Sequence, residues 1–178
     1  QHNRIFSDVW KTTSLSARRG IISAALSAVD MALWDLVGKS LQTPVYELLG
    51  IYSDQVSCYA SAGLYGKDKD QHALADEMRG YLNQGFSDVK MKVGGVPLDQ
   101  DLERVKAVRE AIGPSSRLMV DANYTLNVPR SLKMASAFEP YDVYWFEAPV
   151  SPDDLLGQEK VNALSPIPVC GNETETGV

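Results

Sequence analysis

Between Arg117 and Glu173 the chain repeats one pattern three times: a short apolar run closed by a carboxylate, with a helical pattern leading to the next run. The runs are Arg117-Leu-Met-Val-Asp121, Val143-Tyr-Trp-Phe-Glu147 and Pro168-Val-Cys-Gly-Asn-Glu173, and their carboxylates stand at equal intervals of 26 residues. A strand, a helix and two loops occupy about that length. The interval therefore predicts successive parallel strands with Asp121, Glu147 and Glu173 at one level of their tips. Neighbouring parallel strands lie roughly 4.8 Å apart, so three such carboxylates can converge on one ion.

The same alternation extends upstream. Strands are expected at 56–60, 88–93, 117–121, 143–147 and 168–171, with helices near 70–84, 99–112, 128–138 and 153–164. Leu74, Met78, Tyr81 and Leu82 precede Gly85; Leu102, Val105, Val108 and Ile112 precede Gly113-Pro114; Asn127 stands as a cap ahead of Pro129. A parallel array of this kind becomes either an open doubly wound sheet or a closed eight-stranded barrel. The turns after the first two strands lack the G-x-G-x-x-G phosphate loop of the former. Functional residues on several consecutive strand ends point to the latter, an α/β chain holding about the first five strands of a (β/α)8 TIM-type barrel.

Residues 16–50 read differently. Ile21, Ile22, Ala25, Leu26, Val29, Leu33, Leu36 and Val37 give an apolar face suited to a mostly buried helix that stops at Gly38, and Thr43-Pro44 reads as a cap and first position of a short helix leaving at Gly50. A domain boundary near Gly50 separates 1–50 from 51–178.

Composition excludes several classes of partner. With 44% hydrophobic and 22% charged residues, 23 acidic against 17 basic and no basic run, the chain is expected to be a soluble protein without a nucleic-acid partner. No apolar run is expected to approach the roughly 20 residues of a membrane span. Cys58 and Cys170, far apart and inside apolar runs, read as small buried hydrophobes of a reducing compartment, so a cytoplasmic location is expected. His2 and His72 read as solvated groups.

Val89-Lys90-Met91-Lys92-Val93 supplies the second constellation. Alternation puts Lys90 and Lys92 on one face of a strand. Inside a barrel that face is not solvated, and two inward ammonium groups need anions to answer them. Lys92 stands 29 residues before Asp121, one strand-helix unit upstream and at the same mouth. Three carboxylates favour Mg2+, with Mn2+ as a substitute, over zinc. Abstraction of a proton next to a carboxylate forms an enediolate that needs such a metal and hydrogen-bond donors to spread its charge. The base must be neutral, and a like charge nearby lowers a lysine from its ordinary value. This assigns Lys92 as base and Lys90 as the group that lowers it and meets the substrate's charge.

Lys90-Met-Lys92, Asp121-Ala-Asn123, Trp145-Phe-Glu147-Ala-Pro149 and Glu173 together resemble the enolase superfamily, in its mandelate racemase and muconate lactonizing enzyme branch. Asp30-Met-Ala-Leu-Trp34-Asp35-Leu-Val-Gly38-Lys39 followed by Pro44-Val-Tyr-Glu-Leu-Leu-Gly50 is similar to the end of that family's α+β capping domain. The resemblance implies Asp121, Glu147 and Glu173 as Mg2+ ligands, Lys92 and Lys90 as catalytic residues, and Asn123 with Lys90 at the substrate. It implies a small-molecule carboxylate substrate and a homo-oligomer for the full-length protein. The reaction implied is dehydration of a sugar acid or other hydroxy acid; racemase, epimerase or cycloisomerase chemistry and a non-catalytic metal-binding fragment are the alternatives. Asn172 before Glu173 favours the dehydratase and racemase group, and Ala148 stands where a second Glu is common. Five strands instead of eight suggest an internal fragment, inactive alone, whose Asp and His dyad would lie elsewhere.

Overall fold

Aspartate and asparagine side chains start three of the helices in the strand-helix region. Asp70 accepts from the Ala73 amide ahead of helix α4 (Gln71–Asn83), Asn127 from Arg130 ahead of α6 (Val128–Phe138), and Asp154 from Gly157 ahead of α7 (Leu155–Leu164). Helix α5 (Leu98–Ile112) follows Pro97 and ends at Gly113, whose φ of 74° suits glycine. These helices alternate with strands β1 (Ala60–Ser61), β2 (Val89–Lys92), β3 (Leu118–Asp121), β4 (Val143–Glu147) and β5 (Val169–Cys170). The computed structural model describes residues 2–13, 20–171 and 173. Asn172 and the Ser16 start expected for the upstream helix lie outside them.

The strands form one parallel sheet in the order β1-β2-β3-β4-β5. Such unbroken sequential order is that of a barrel wall, whereas a doubly wound sheet reverses direction midway. The fold is α/β, with the strand-helix portion a partial (β/α) barrel. Its core lies between sheet and helices: Val89, Met91, Leu118, Val120 and Phe146 from the strands meet Leu74, Met78, Val105, Val108, Met134 and Phe138. Burying each such side chain contributes about 1.5–3 kcal/mol. Strand β1 is the largest displacement from expectation. It pairs only at Ala60 and Ser61, later than the apolar run at 56–60, because the ladder to β2 closes there. Cys58 is consequently exposed ahead of the strand, and Cys170, on the outer strand β5, is only half-buried, so neither is a core residue.

The described residues divide into two compact units, one up to Val56 and one from Ser57 onward. The first unit holds α1 (His2–Thr13), α2 (Ile21–Leu41) and α3 (Val45–Leu48). Helix α1 was not expected, although Ile5 and Val9 have helical spacing. Helix α2 runs through Gly38 to Leu41, and Gln42 takes the left-handed turn instead. Gly38 serves close approach: a Cβ there would sit 2.9 Å from the Thr43 carbonyl. Pro44, not Thr43, occupies the cap of α3, and the Thr43 hydroxyl donates to the Leu41 carbonyl. Only Leu26 and Gly38 of α2 are buried, since the short helices packed on it cover little of its length. At 21 residues α2 is long and apolar enough to cross a membrane by length and composition, which corrects the expectation that no run approaches a span. It carries Asp30, Asp35 and Lys39, with Lys39 paired to Asp35 at 2.7 Å.

Gly63, just after β1, has φ of 65°, and a Cβ there would lie 2.5 Å from both Met78 Cε and Met91 Cβ. Left-handed strain costs about 1–2 kcal/mol and overpacking about 1–3 kcal/mol. Gly63→Ala in the full-length protein should therefore lose about 2–5 kcal/mol in a denaturant melt. Gly85→Ala, at a φ of 100° with open space around it, should lose only the backbone part.

Candidate metal centre

Pleating sends Val89, Met91 and Val93 into the helix-covered core and turns Lys90 and Lys92 to the other face of the sheet. Register then sets their neighbours: Lys92 pairs with Asp121 across β2 and β3, and Asp121 pairs with Glu147 across β3 and β4. The Lys90 ammonium donates to both Glu147 oxygens at 2.8 Å and lies 3.4 Å from Asp121 Oδ2. Lys92 reaches the same Asp121 Oδ2 at 2.6 Å and donates to Asn123 Oδ1 at 3.1 Å. Two like charges thus share one carboxylate oxygen, the proximity expected of them.

Glu173 departs from the expected geometry. The register partner of Glu147 is Cys170, so Glu173 lies three residues beyond the strand level shared by Asp121 and Glu147. The two 26-residue intervals conceal different crossovers. Between β3 and β4 a 3-10 turn, Glu139–Tyr141, follows α6; between β4 and β5 no such turn follows α7 among the described residues, and the strand-to-strand repeat is three residues shorter. The carboxylate nevertheless returns to the others, and one oxygen from each of Asp121, Glu147 and Glu173 lies within 4.8 Å of the rest.

The electrostatics fit a cation. Asp121 and Glu147 are 1% and 7% exposed, while Glu173 is exposed. Buried carboxylates this close require positive charge. Lys90 and Lys92 supply two charges against three, and the remaining donor atoms are hard oxygens suited to Mg2+. Burial pulls the Lys90 ammonium down, but the hydrogen bond and charge of Glu147, with Asp121 behind them, outweigh it and hold Lys90 above its ordinary value. The hydrogen bond from Tyr124 holds Glu173 below the usual carboxylate value. Burial and then Glu147 raise the Cys170 thiol, so it stays protonated beside the cluster.

Several contacts of the carboxylates and lysines escaped the sequence reading. Asn123 donates its backbone N–H to Asp121 Oδ1 at 2.9 Å, Trp145 Nε1 donates to Glu147 Oε2 at 3.4 Å, and the Tyr124 hydroxyl donates to Glu173 Oε2 at 2.5 Å. Lys90 also lies 5.6 Å from the centre of the Tyr59 ring. Behind the lysines, buried Arg104 donates to the Lys92 and Gly63 carbonyls and to Asp101, and Asp101 in turn accepts from Tyr65 and the Gly94 amide. Asp101 and Arg104 look like surface charges on a helix; only the tertiary packing shows them under the strand ends. His72 is exposed on α4, and Asp154 is engaged as the α7 cap.

Comparison with known proteins shows the family. Residues 73–178 match the family model of the enolase C-terminal domain-like fold, and residues 4–50 match the mandelate racemase / muconate lactonizing enzyme N-terminal domain. The chain is 35% identical to arabinonate dehydratase of Saccharolobus solfataricus, over 96% of its own length and 46% of that enzyme's. It is 38% identical to 3,6-anhydro-alpha-L-galactonate cycloisomerase of Streptomyces coelicolor, over 97% and 47%. Among solved structures, a racemase from Streptomyces coelicolor A3(2) with bound magnesium superposes with a TM-score of 0.89 at 37% identity, covering 98% of this chain and 52% of that one. The chain spans about half the length of the curated relatives it matches. It belongs to the enolase superfamily, in the mandelate racemase and muconate lactonizing enzyme branch.

Proposed function

We propose that the full-length protein is a Mg2+-dependent enzyme that removes the proton next to a carboxylate, and that its reaction is dehydration of a sugar acid or related hydroxy acid. The observation that carries this reading is the meeting of two inward lysines with three convergent carboxylates at one set of strand ends. Held by Asp121, Glu147 and Glu173, Mg2+ would supply Lewis-acid stabilisation of the charge that develops on the substrate carboxylate. Lys92 takes the α-proton at Nζ, and the Asn123 side-chain oxygen, 3.1 Å away, holds that amine in place. Lys90, kept cationic by Glu147, answers the negative charge of the substrate. In this reading residues 1–50 are the end of the capping domain and 51–178 the first part of the catalytic barrel.

Dehydration and its alternatives differ in product. A dehydratase turns an aldonic or aldaric acid into a 2-keto-3-deoxy acid, while a racemase or epimerase returns a hydroxy acid of inverted configuration. A panel of sugar acids assayed for 2-keto acid formation separates them; inversion without keto acid would overturn dehydration. Cycloisomerase chemistry is the second reading, since a cycloisomerase is as similar to this chain as a dehydratase.

The metal assignment has its own test. In crystals of the full-length protein soaked with Mn2+, an anomalous peak should stand among Asp121, Glu147 and Glu173 at roughly 2.1 Å from their oxygens. A peak at Asp153 and Asp154 instead would overturn the assignment.

A further inference from the structure

We propose that the Tyr124 hydroxyl orients the Glu173 carboxylate for the divalent cation, making Tyr124 a positioning residue that sets how tightly the centre holds its ion. The inference rests on the metal reading above and adds a residue to it.

Each of the three carboxylates accepts from an uncharged donor: the Asn123 amide on Asp121, the Trp145 indole on Glu147, and on Glu173 the Tyr124 phenol, beside a bond from its own backbone. The need differs among them. Asp121 and Glu147 are buried residues of paired strands, so packing and register already confine them. Glu173 is exposed and lies beyond the end of β5, where no ladder hydrogen bond fixes its backbone among those described. Its side chain has three rotatable bonds, and the one side-chain hydrogen bond described for it, at 2.5 Å, comes from Tyr124, 49 positions earlier in the chain. Orientation by Tyr124 therefore decides more at Glu173 than the corresponding donors decide at the other two.

The backbone around Tyr124 is built for this reach. Asn123 and Tyr124 both have positive φ, 48° and 65°, a conformation that asparagine adopts readily and a bulky residue such as tyrosine rarely does. The turn is tied down by the Tyr124 amide donating to the Ala148 carbonyl at 2.8 Å and the Thr125 amide to the Ala122 carbonyl at 3.0 Å. The hydroxyl is thus delivered from a fixed turn of the β3 side to a residue of the β5 side.

Chemistry also separates this donor from the lysines. An ammonium on a carboxylate repels an arriving cation and must yield or be tolerated. A neutral phenol donates one hydrogen bond without opposing the ion, so it can hold Glu173 before and after binding. Hydrogen-bonded partners of metal ligands typically alter metal affinity about 10–100-fold when removed.

The test is metal affinity, not turnover. Mg2+ binding to the full-length protein by calorimetry, with Mn2+ binding by electron paramagnetic resonance as a second probe, should weaken about 10–100-fold in Tyr124→Phe, with the melting temperature of the metal-free protein unchanged. Tyr124→Phe keeps the ring and its packing, so an affinity equal to wild type would overturn the inference. A double-mutant cycle guards against indirect loss: once Glu173→Gln is in place, adding Tyr124→Phe should change affinity no further. An equal loss in both backgrounds would mean that Tyr124 acts elsewhere and would also overturn it. Failure of the wild type itself to bind would instead sink the metal reading, and this inference with it.

Discussion

Lys92→Ala in the full-length protein will abolish exchange of the substrate α-proton with deuterated solvent, a loss of about 10²–10⁴-fold, without weakening metal binding. Both halves follow from one geometry. Lys92 Nζ stands 2.6 Å from Asp121 and 3.1 Å from Asn123, at the strand end where β2, β3 and β4 meet in register. It is partly exposed there, whereas Lys90 is buried against Glu147. The more accessible lysine is the one able to meet a substrate, and the buried one is committed as a fixed charge. Deleting Lys92 removes the proton acceptor while relieving positive charge next to a proposed metal ligand, so affinity for Mg2+ should hold or rise. Nuclear magnetic resonance of the α-proton signal in deuterium oxide, with calorimetry for the metal, measures both. Full exchange in the variant would remove Lys92 from the role of base. Lys90→Ala is a poorer probe of mechanism, because it strips the partner from a buried Glu147 carboxylate and disturbs the centre itself.

What could be read from residues alone follows the reach of each signal. Alternation within a strand is local, so the shared face of Lys90 and Lys92 was legible, and the similar length of neighbouring strand-helix units placed Asp121 beside Lys92 and Glu147 beside Asp121. Caps are local too, hence Asn127. Glu173 exposes the limit of spacing. Its interval matches that of Glu147 only because a 3-10 turn in one crossover is offset by a post-strand segment in the next, and spacing cannot distinguish the two. The hydrogen bonds of Tyr124 and Trp145 carried no pattern, since a hydroxyl or indole directed at a carboxylate is a tertiary fact. The two-residue ladder of β1 is likewise decided by its partner strand, not by the apolar run before it. Burial of α2 was misjudged for the same reason: periodicity reports an apolar face, and only packing reports what covers it.

A polypeptide of residues 1–178 produced alone should self-associate and show no turnover, although it carries all three proposed metal ligands. Its described sheet has two outer strands, β1 and β5, each paired on one side only over two residues, and parallel outer strands present unpaired backbone groups to other chains. Apolar surface adds to the hazard. Ile21, Met31, Leu36 and Leu41 of α2 and Leu155 and Leu156 of α7 are 59–86% exposed, and exposed apolar surface of that kind promotes association. On the inward face, no opposite wall among the described residues excludes water from the lysines and carboxylates, so any field they set up is screened and substrate is not held. Size-exclusion chromatography, a thermal melt followed by circular dichroism and a Mg2+ titration decide the matter together. Large species or a non-cooperative melt, with weak metal binding at most, are expected. A monomer with a sharp melt and measurable turnover would show that these five strands make a self-sufficient site, and would overturn the argument that the groups on Asp121, Glu147 and Lys92 need a facing wall.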